Sequence, residues 1–170
     1  LLNDIAIAAN YLLVHQLARR ILVVDLDVHQ GNGTEDIFIG DDRVLYCATF
    51  EHPFFPFTTP PQKSERVVSI PLEATAKSAQ FRAAIHDHWL PALNRFKPQL
   101  IFVSAGFDAH ERDPLGQLRL QDDDYFWITA ELREIAERWC DGRIVSLLEG
   151  GYDLEALATA AAAHVGALSA

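Results

Sequence analysis

The chain has 170 residues, 49% apolar and 22% charged, a balance that supports one folded domain with a substantial core and excludes a disordered polar chain. Its longest apolar runs, residues 21–24 and 100–105, fall far short of the roughly 20 residues that cross a bilayer, and no basic start with an apolar signal core appears, so a cytoplasmic protein with no membrane partner is expected. A formal net charge of −10 with 14 scattered basic residues argues against nucleic acid as a partner and is compatible with a cationic substrate such as a lysine-rich tail.

In chain order, Ile5, Ala9, Leu12, Leu13 and Leu17 recur at helical spacing, and after Arg20 the pattern changes to the run ILVVDLDVH, which reads as a buried strand. Further strands are expected over residues 44–50, 67–72, 100–105 and 144–148, each rich in residues that suit a sheet interior. A helix is expected over 78–96, with Phe81, Ile85, Trp89 and Leu93 every four residues and Pro91 bending it. Another is expected over 123–139, with Phe126, Ala130, Leu132, Ile135 and Trp139 facing inward. Strands separated by helices of this size imply right-handed βαβ crossovers, hence an α/β fold: a doubly wound, mostly parallel sheet with helices on both faces. Cys47 and Cys140 have no CxxC spacing and read as inert core thiols.

In such sheets ligands bind beyond the carboxyl ends of the strands, and three of those ends carry unusual residues. Alternation along the first strand puts Asp25, Asp27 and His29 on one side and Leu26 and Val28 on the other. One acidic residue at a strand end is commonly a cap. Carboxylates buried together beside a histidine are costly unless a cation compensates them, which makes a metal the simplest account. The strand 100–105 runs into Gly106, Phe107, Asp108, Ala109 and His110; Gly106 permits a sharp turn that would bring Asp108 to the same sheet edge. Two Asp oxygens and one His nitrogen form a three-ligand set with an open position, as catalytic zinc sites do, with His110 a competing ligand. The strand 144–148 ends in Glu149, Gly150, Gly151 and Tyr152, where the glycine pair allows close backbone approach and the tyrosine can aim a phenol at the site.

DLDVHQGNG, GFDAHERDPLG and LEGGY, in this order and spacing, resemble the histone deacetylase superfamily, especially its bacterial and class II branches, over essentially the whole chain. The resemblance implies an arginase/deacetylase-like fold and hydrolysis of acetyl or other acyl amides on lysine side chains or related small amines. It matches Asp27, His29 and Asp108 to zinc ligands and Tyr152 to the tyrosine that stabilises the transition state. Asp25 matches an aspartate behind the zinc that also takes part in a monovalent-cation site, usually potassium. Phe55 and Leu115 match the walls of the acyl-lysine channel, with Gly150 and Gly151 beside it.

Departures from the family pattern are as specific. The family carries two adjacent histidines upstream of a motif resembling GFCxxND; this sequence opens on LLND and holds no adjacent histidine pair. Residues 1–170 are therefore expected to be the C-terminal part of a single deacetylase domain whose first strands are missing, inactive alone and with an apolar edge uncovered. Ala48 and Phe50 stand where the family has a Ser and a His, and Phe57 where it has a Gly. The rival readings are an acyl-lysine-binding module without catalysis and an arginase-like ureohydrolase, which would need a second carboxylate cluster.

Overall fold

The computed structural model describes residues 2–58 and 64–170. Five parallel strands, β1 (Ile21–Asp25), β2 (Val44–Glu51), β3 (Val67–Leu72), β4 (Leu100–Ala105) and β5 (Ile144–Leu148), form one sheet in the order β3-β2-β1-β4-β5. Each strand read from the sequence is present. β1 and β2 are buried along their whole length, which is why their sequences run apolar without alternation.

Helices cover both faces. On one, α1 (Asp4–Val14) and α2 (Asn32–Phe38) enclose a core that includes Ile5, Ala9, Ile21, Val23, Phe38 and Tyr46. On the other, α3 (Ser78–Ala84), α4 (Leu90–Phe96), α5 (Asp122–Trp139) and α6 (Leu154–Ser169) pack over Leu22, Val24, Leu45, Val103 and Trp89. β5 is an edge strand with Val145 and Leu148 exposed, and Ile7, Tyr11 and Val14 face outward from α1. No helix among the described residues is long and apolar enough to cross a membrane.

Several local expectations are corrected. β1 stops at Asp25 rather than running through His29, because the chain bends at once after the strand. Residues 78–96 do not form one bent helix: a π turn, Ile85–Trp89, lies between α3 and α4. Apolar residues spaced by four drift around a helix of 3.6 residues per turn, and the wide turn absorbs that drift, so Phe81, Ile85, Trp89 and Leu93 are all buried. The Leu90 N–H bonds the Ile85 carbonyl, and Pro91 falls in the first turn of α4, where a missing N–H costs little. On α5 the inward stripe is Tyr125, Ile128, Leu132, Ile135 and Ala136, leaving Phe126 exposed. Tyr125 rather than Phe126 lies on the face continued by Ile128, and that face is the buried one. Leu17 lies beyond α1 and is exposed, since Gln16 adopts φ 56 and ends the helical path. α2 went unread because its seven residues are too short and polar for an apolar period.

The strand order places the functional crevice. From β1 the chain steps outward to β2 and β3, then returns to the other side of β1 as β4, so the direction of winding reverses between β1 and β4. Loops leaving the carboxyl ends of those two strands diverge and leave a cleft.

Both thiols are withdrawn from chemistry by this core. Burial pushes the Cys47 thiol well above its usual range and Cys140 up to about 11, and Cys140 Sγ donates to the Pro98 carbonyl at 3.2 Å. A chromogenic disulfide reagent at pH 8 should react with neither cysteine in the native chain and with both in denaturant.

Candidate metal centre

β1 and β4 pair directly, Asp25 opposite Ser104, so the segments that follow them start side by side. After Leu26 N–H bonds the Ser104 carbonyl, pairing ends and side chains take over the backbone donors. Asp25 Oδ1 accepts from Asp27 N–H at 3.1 Å, Asp27 Oδ1 from His29 N–H at 2.9 Å, and Asp108 Oδ1 from Val28 N–H at 2.8 Å. The first two are turns in which an aspartate bonds the backbone two residues on, and these, rather than strand alternation, keep Asp25, Asp27 and His29 together. The third strand end joins through Phe107 N–H to the Gly150 carbonyl at 2.8 Å and Gly150 N–H to Asp27 Oδ2 at 3.0 Å.

These bonds bring one ligand atom each from Asp27, His29 and Asp108 within 4.8 Å of one another. His29 Nδ1 lies 2.8 Å from Asp27 Oδ1 and 3.2 Å from Asp108 Oδ2. His110 is not part of the group: its Nδ1 accepts from Arg112 N–H at 3.2 Å and its Nε2 faces Asp122 at 3.5 Å. A cavity of about 370 Å³ opens beside the cluster, lined among others by Asp25, Ser104, Leu148 and Glu149.

Two glycines make room for the carboxylates. A Cβ on Gly106 would lie 2.6 Å from the Asp27 side chain, and one on Gly150 would overlap the Asp108 carboxylate and stand 2.7 Å from Asp27 Oδ2. Gly151, at φ 141, then turns the chain toward Tyr152 in a conformation that favours glycine.

Electrostatics favour a cation at the cluster. Burial, followed by the neighbouring Asp27 charge, raises the Asp25 pKa to about 8, although the Tyr46 phenol donates to it at 2.8 Å. Burial also raises Asp108. It acts on Asp27 in the same direction, but hydrogen bonds from the His29 ring, the His29 N–H and the Gly150 N–H outweigh it and hold Asp27 below its usual range. His29, bonded to Asp108 and Asp27, is raised to about 10. When protonated, the His29 ring is a counter-ion to both carboxylates, and a metal ion can replace its proton. Asp108 Oδ2 is fully buried and has the His29 ring, at 3.2 Å, as its polar neighbour, leaving it as a ready ligand once an ion replaces the ring's proton. The donor set, two carboxylates and one imidazole, fits zinc.

The remaining expected residues lie around this cluster. Phe55 is 61% exposed and meets the His29 ring edge-on at 6.0 Å; Leu115 and Tyr152 are each about half-exposed. Burial, then the Asp108, Asp27 and Asp113 charges, raise the Tyr152 phenol. Sequence reasoning missed Phe54, whose ring stacks on His29 at 5.4 Å, and Tyr46, the partner of Asp25. It also missed Asp113, a buried carboxylate between Tyr152 and Leu115. Phe54 could have been singled out from its place beside Phe55. Nothing local marks Tyr46, one of several apolar residues in β2.

The histone deacetylase domain model matches residues 1–168, and the chain belongs to that family. It is 40% identical over 168 residues to type-2 histone deacetylase 2 of Dictyostelium discoideum, covering 91% of this chain and 10% of that protein. It is also 40% identical over 160 residues to a probable deacetylase of Archaeoglobus fulgidus, covering 91% and 44%. A histone deacetylase-like amidohydrolase of Pseudomonas aeruginosa is 36% identical over 156 residues, covering 88% and 41%. The HDA15 HD domain superposes with a TM-score of 0.85 at 30% identity, covering 98% of this chain and 50% of that one. The histone deacetylase Clr3 superposes at 0.87 with 30% identity, covering 98% and 30%. The chain thus spans about half or less of the length of the relatives it matches.

Crowding at Gly150 gives a direct test of this geometry. Gly150→Ala should keep the fold by circular dichroism and lower zinc affinity by about 10- to 100-fold in a chelator competition, the usual effect of disturbing the groups that orient metal ligands.

Proposed function

We propose that this chain is the metal-holding part of a zinc-dependent hydrolase that removes acetyl or related acyl groups from protein lysines or small acylated amines. The observation that carries the reading is the convergence of Asp27, His29 and Asp108 at the strand ends, with the buried Asp108 Oδ2 facing the His29 ring at 3.2 Å. Bound there, zinc supplies a Lewis acid that polarises an amide carbonyl and acidifies water. A monovalent cation, usually potassium in the family, belongs beside Asp25, on the family resemblance. A cytoplasmic location, and no nucleic-acid partner, rest on composition and charge.

Around that ion the chain's own residues orient substrate and stabilise charge. Asp27 fixes the His29 ring, and Gly150 fixes Asp27. Phe54 and Phe55 with Leu115 present apolar surface to an acyl-lysine stem, and Phe57 extends it outward, edge-on to Phe55 at 6.3 Å. The Tyr152 phenol donates a hydrogen bond to the carbonyl oxygen as negative charge develops on it. Leu115 offers no carboxylate to a distal ammonium, which favours an acyl-lysine over a polyamine. One acidic-histidine cluster is found among the described residues, where a ureohydrolase of the arginase type needs a second.

A base that takes a proton from attacking water is not offered by the other histidines. His110 is held by Arg112 N–H and Asp122, His164 lies between Thr129 and Ser146, and His52 sits edge-on to Phe50. His15, His86 and His88 lie in or at the end of outer helical segments. Losing a positioned base costs about 10² to 10⁴ in rate. The zinc-loaded 170-residue chain should therefore give no turnover above background on a fluorogenic acetyl-lysine peptide. Turnover near that of a deacetylase supplied with its tandem histidines would refute the missing-base argument and direct mutation to His52 and His110.

A further inference from the structure

Between β4 and α5 the chain leaves the metal cluster at Asp108, travels outward and returns over it. A Cβ on Gly116 would lie 2.5 Å from the Asp108 carbonyl oxygen and 3.1 Å from Val28, so the returning limb rests directly on the segment that carries the metal ligands. Inside this loop sits Asp113, 7% exposed. Its Oδ2 accepts from Tyr152 N–H at 2.7 Å and Asp153 N–H at 3.4 Å, and its Oδ1 accepts from Leu115 N–H at 2.9 Å. Its own N–H donates to the His110 carbonyl at 2.9 Å.

We propose that Asp113 is the positioning residue that fixes Tyr152 and Leu115 relative to the metal ligands, by holding both their backbone N–H groups with one carboxylate. This rests on the reading of Tyr152 as the donor to the developing oxyanion. The chemistry requires a carboxylate. Both oxygens accept, one toward each residue, and such charge-assisted bonds are stronger than neutral ones. An amide of the same shape supplies one acceptor and one donor, so whichever way it turns it places an N–H against an N–H. Tyr152 needs the anchor because the preceding Gly151 sits at φ 141 and the phenol is half-exposed, so its own side-chain packing does not fix it. Asp108 and Asp113 lie on one short loop, so the anchor ties the phenol to the backbone that supplies a ligand.

A purely structural role has a different signature. Arg112, the preceding residue, also holds the start of α6, bonding Glu155 at 2.7 Å and Asp153 at 3.3 Å, but through side chains alone. Asp113→Asn and Arg112→Ala should therefore separate the two roles in the chain labelled with 3-fluorotyrosine, the Tyr152 fluorine line being assigned by its loss in Tyr152→Phe. In the unmutated chain the Tyr152 and Leu115 amides should be protected from hydrogen exchange, and one equivalent of zinc should shift the Tyr152 line. In Asp113→Asn zinc should still bind at one equivalent, exchange at Tyr152 or Leu115 should rise at least tenfold, and the zinc-induced shift should vanish or shrink severalfold. Arg112→Ala should keep both signals. Unchanged protection and shift in Asp113→Asn, or equal loss in Arg112→Ala, would overturn the proposal. If Asp113→Asn does not fold, Asp113→Glu keeps both acceptors on a longer arm and should displace the Tyr152 line; an unmoved line would overturn the proposal equally. A Tyr152 line in the unmutated chain that ignores zinc would refute the phenol's role at the metal, while exchange still reads the anchor.

Discussion

Two buried carboxylates, Asp25 and Asp108, flank a third, Asp27, at the end of a parallel sheet, and the surrounding structure follows from the need to compensate their charge. Desolvated acids at this spacing repel and prefer to bind protons, which is what burial does to Asp25 and Asp108. The His29 ring, bridging Asp27 and Asp108, is the internal counter-charge, and backbone N–H groups from residues 27, 28, 29 and 150 supply the rest. Each N–H is in place because a strand has just ended and freed it. Parallel pairing of β1 with β4, and of β4 with β5, delivers those ends to one point.

Rigidity at that point comes from the two cores. The apolar faces of β1 are sealed by α1 and α2 on one side and by the α3–α6 layer on the other, so loops at its carboxyl end start from fixed positions. Gly106 and Gly150 then let three loops approach more closely than any side chain would permit. Side chains on such a base are held in fixed positions, while Phe55, Phe57, Leu115 and Tyr152 remain exposed around it.

Much of this was legible in the sequence. The strands announced themselves as β-branched runs, and their ends carried every member of the cluster. The aromatic residues spaced by four located the α3–α4 layer, although the π turn that keeps them on one face could not be read from an apolar period fitted to a regular helix. Alternation along a strand points to the grouping of Asp25, Asp27 and His29, but bends held by aspartate–backbone bonds bring them together. The partners that depend on long-range packing stayed hidden. Tyr46 reaches Asp25 across two neighbouring strands, and Asp113 meets Tyr152 thirty-nine positions later, distances along the chain that no local pattern encodes.

The central claim is that Asp27, His29 and Asp108 together hold one divalent ion. Zinc content of the purified chain, measured by elemental analysis after equilibration with a competing chelator, tests it most directly when the unmutated protein is compared with Asp108→Ala and His29→Ala. About one zinc per chain in the unmutated protein, strongly reduced in both variants with their folds intact, is the predicted result. Undiminished zinc in both variants would contradict the assignment.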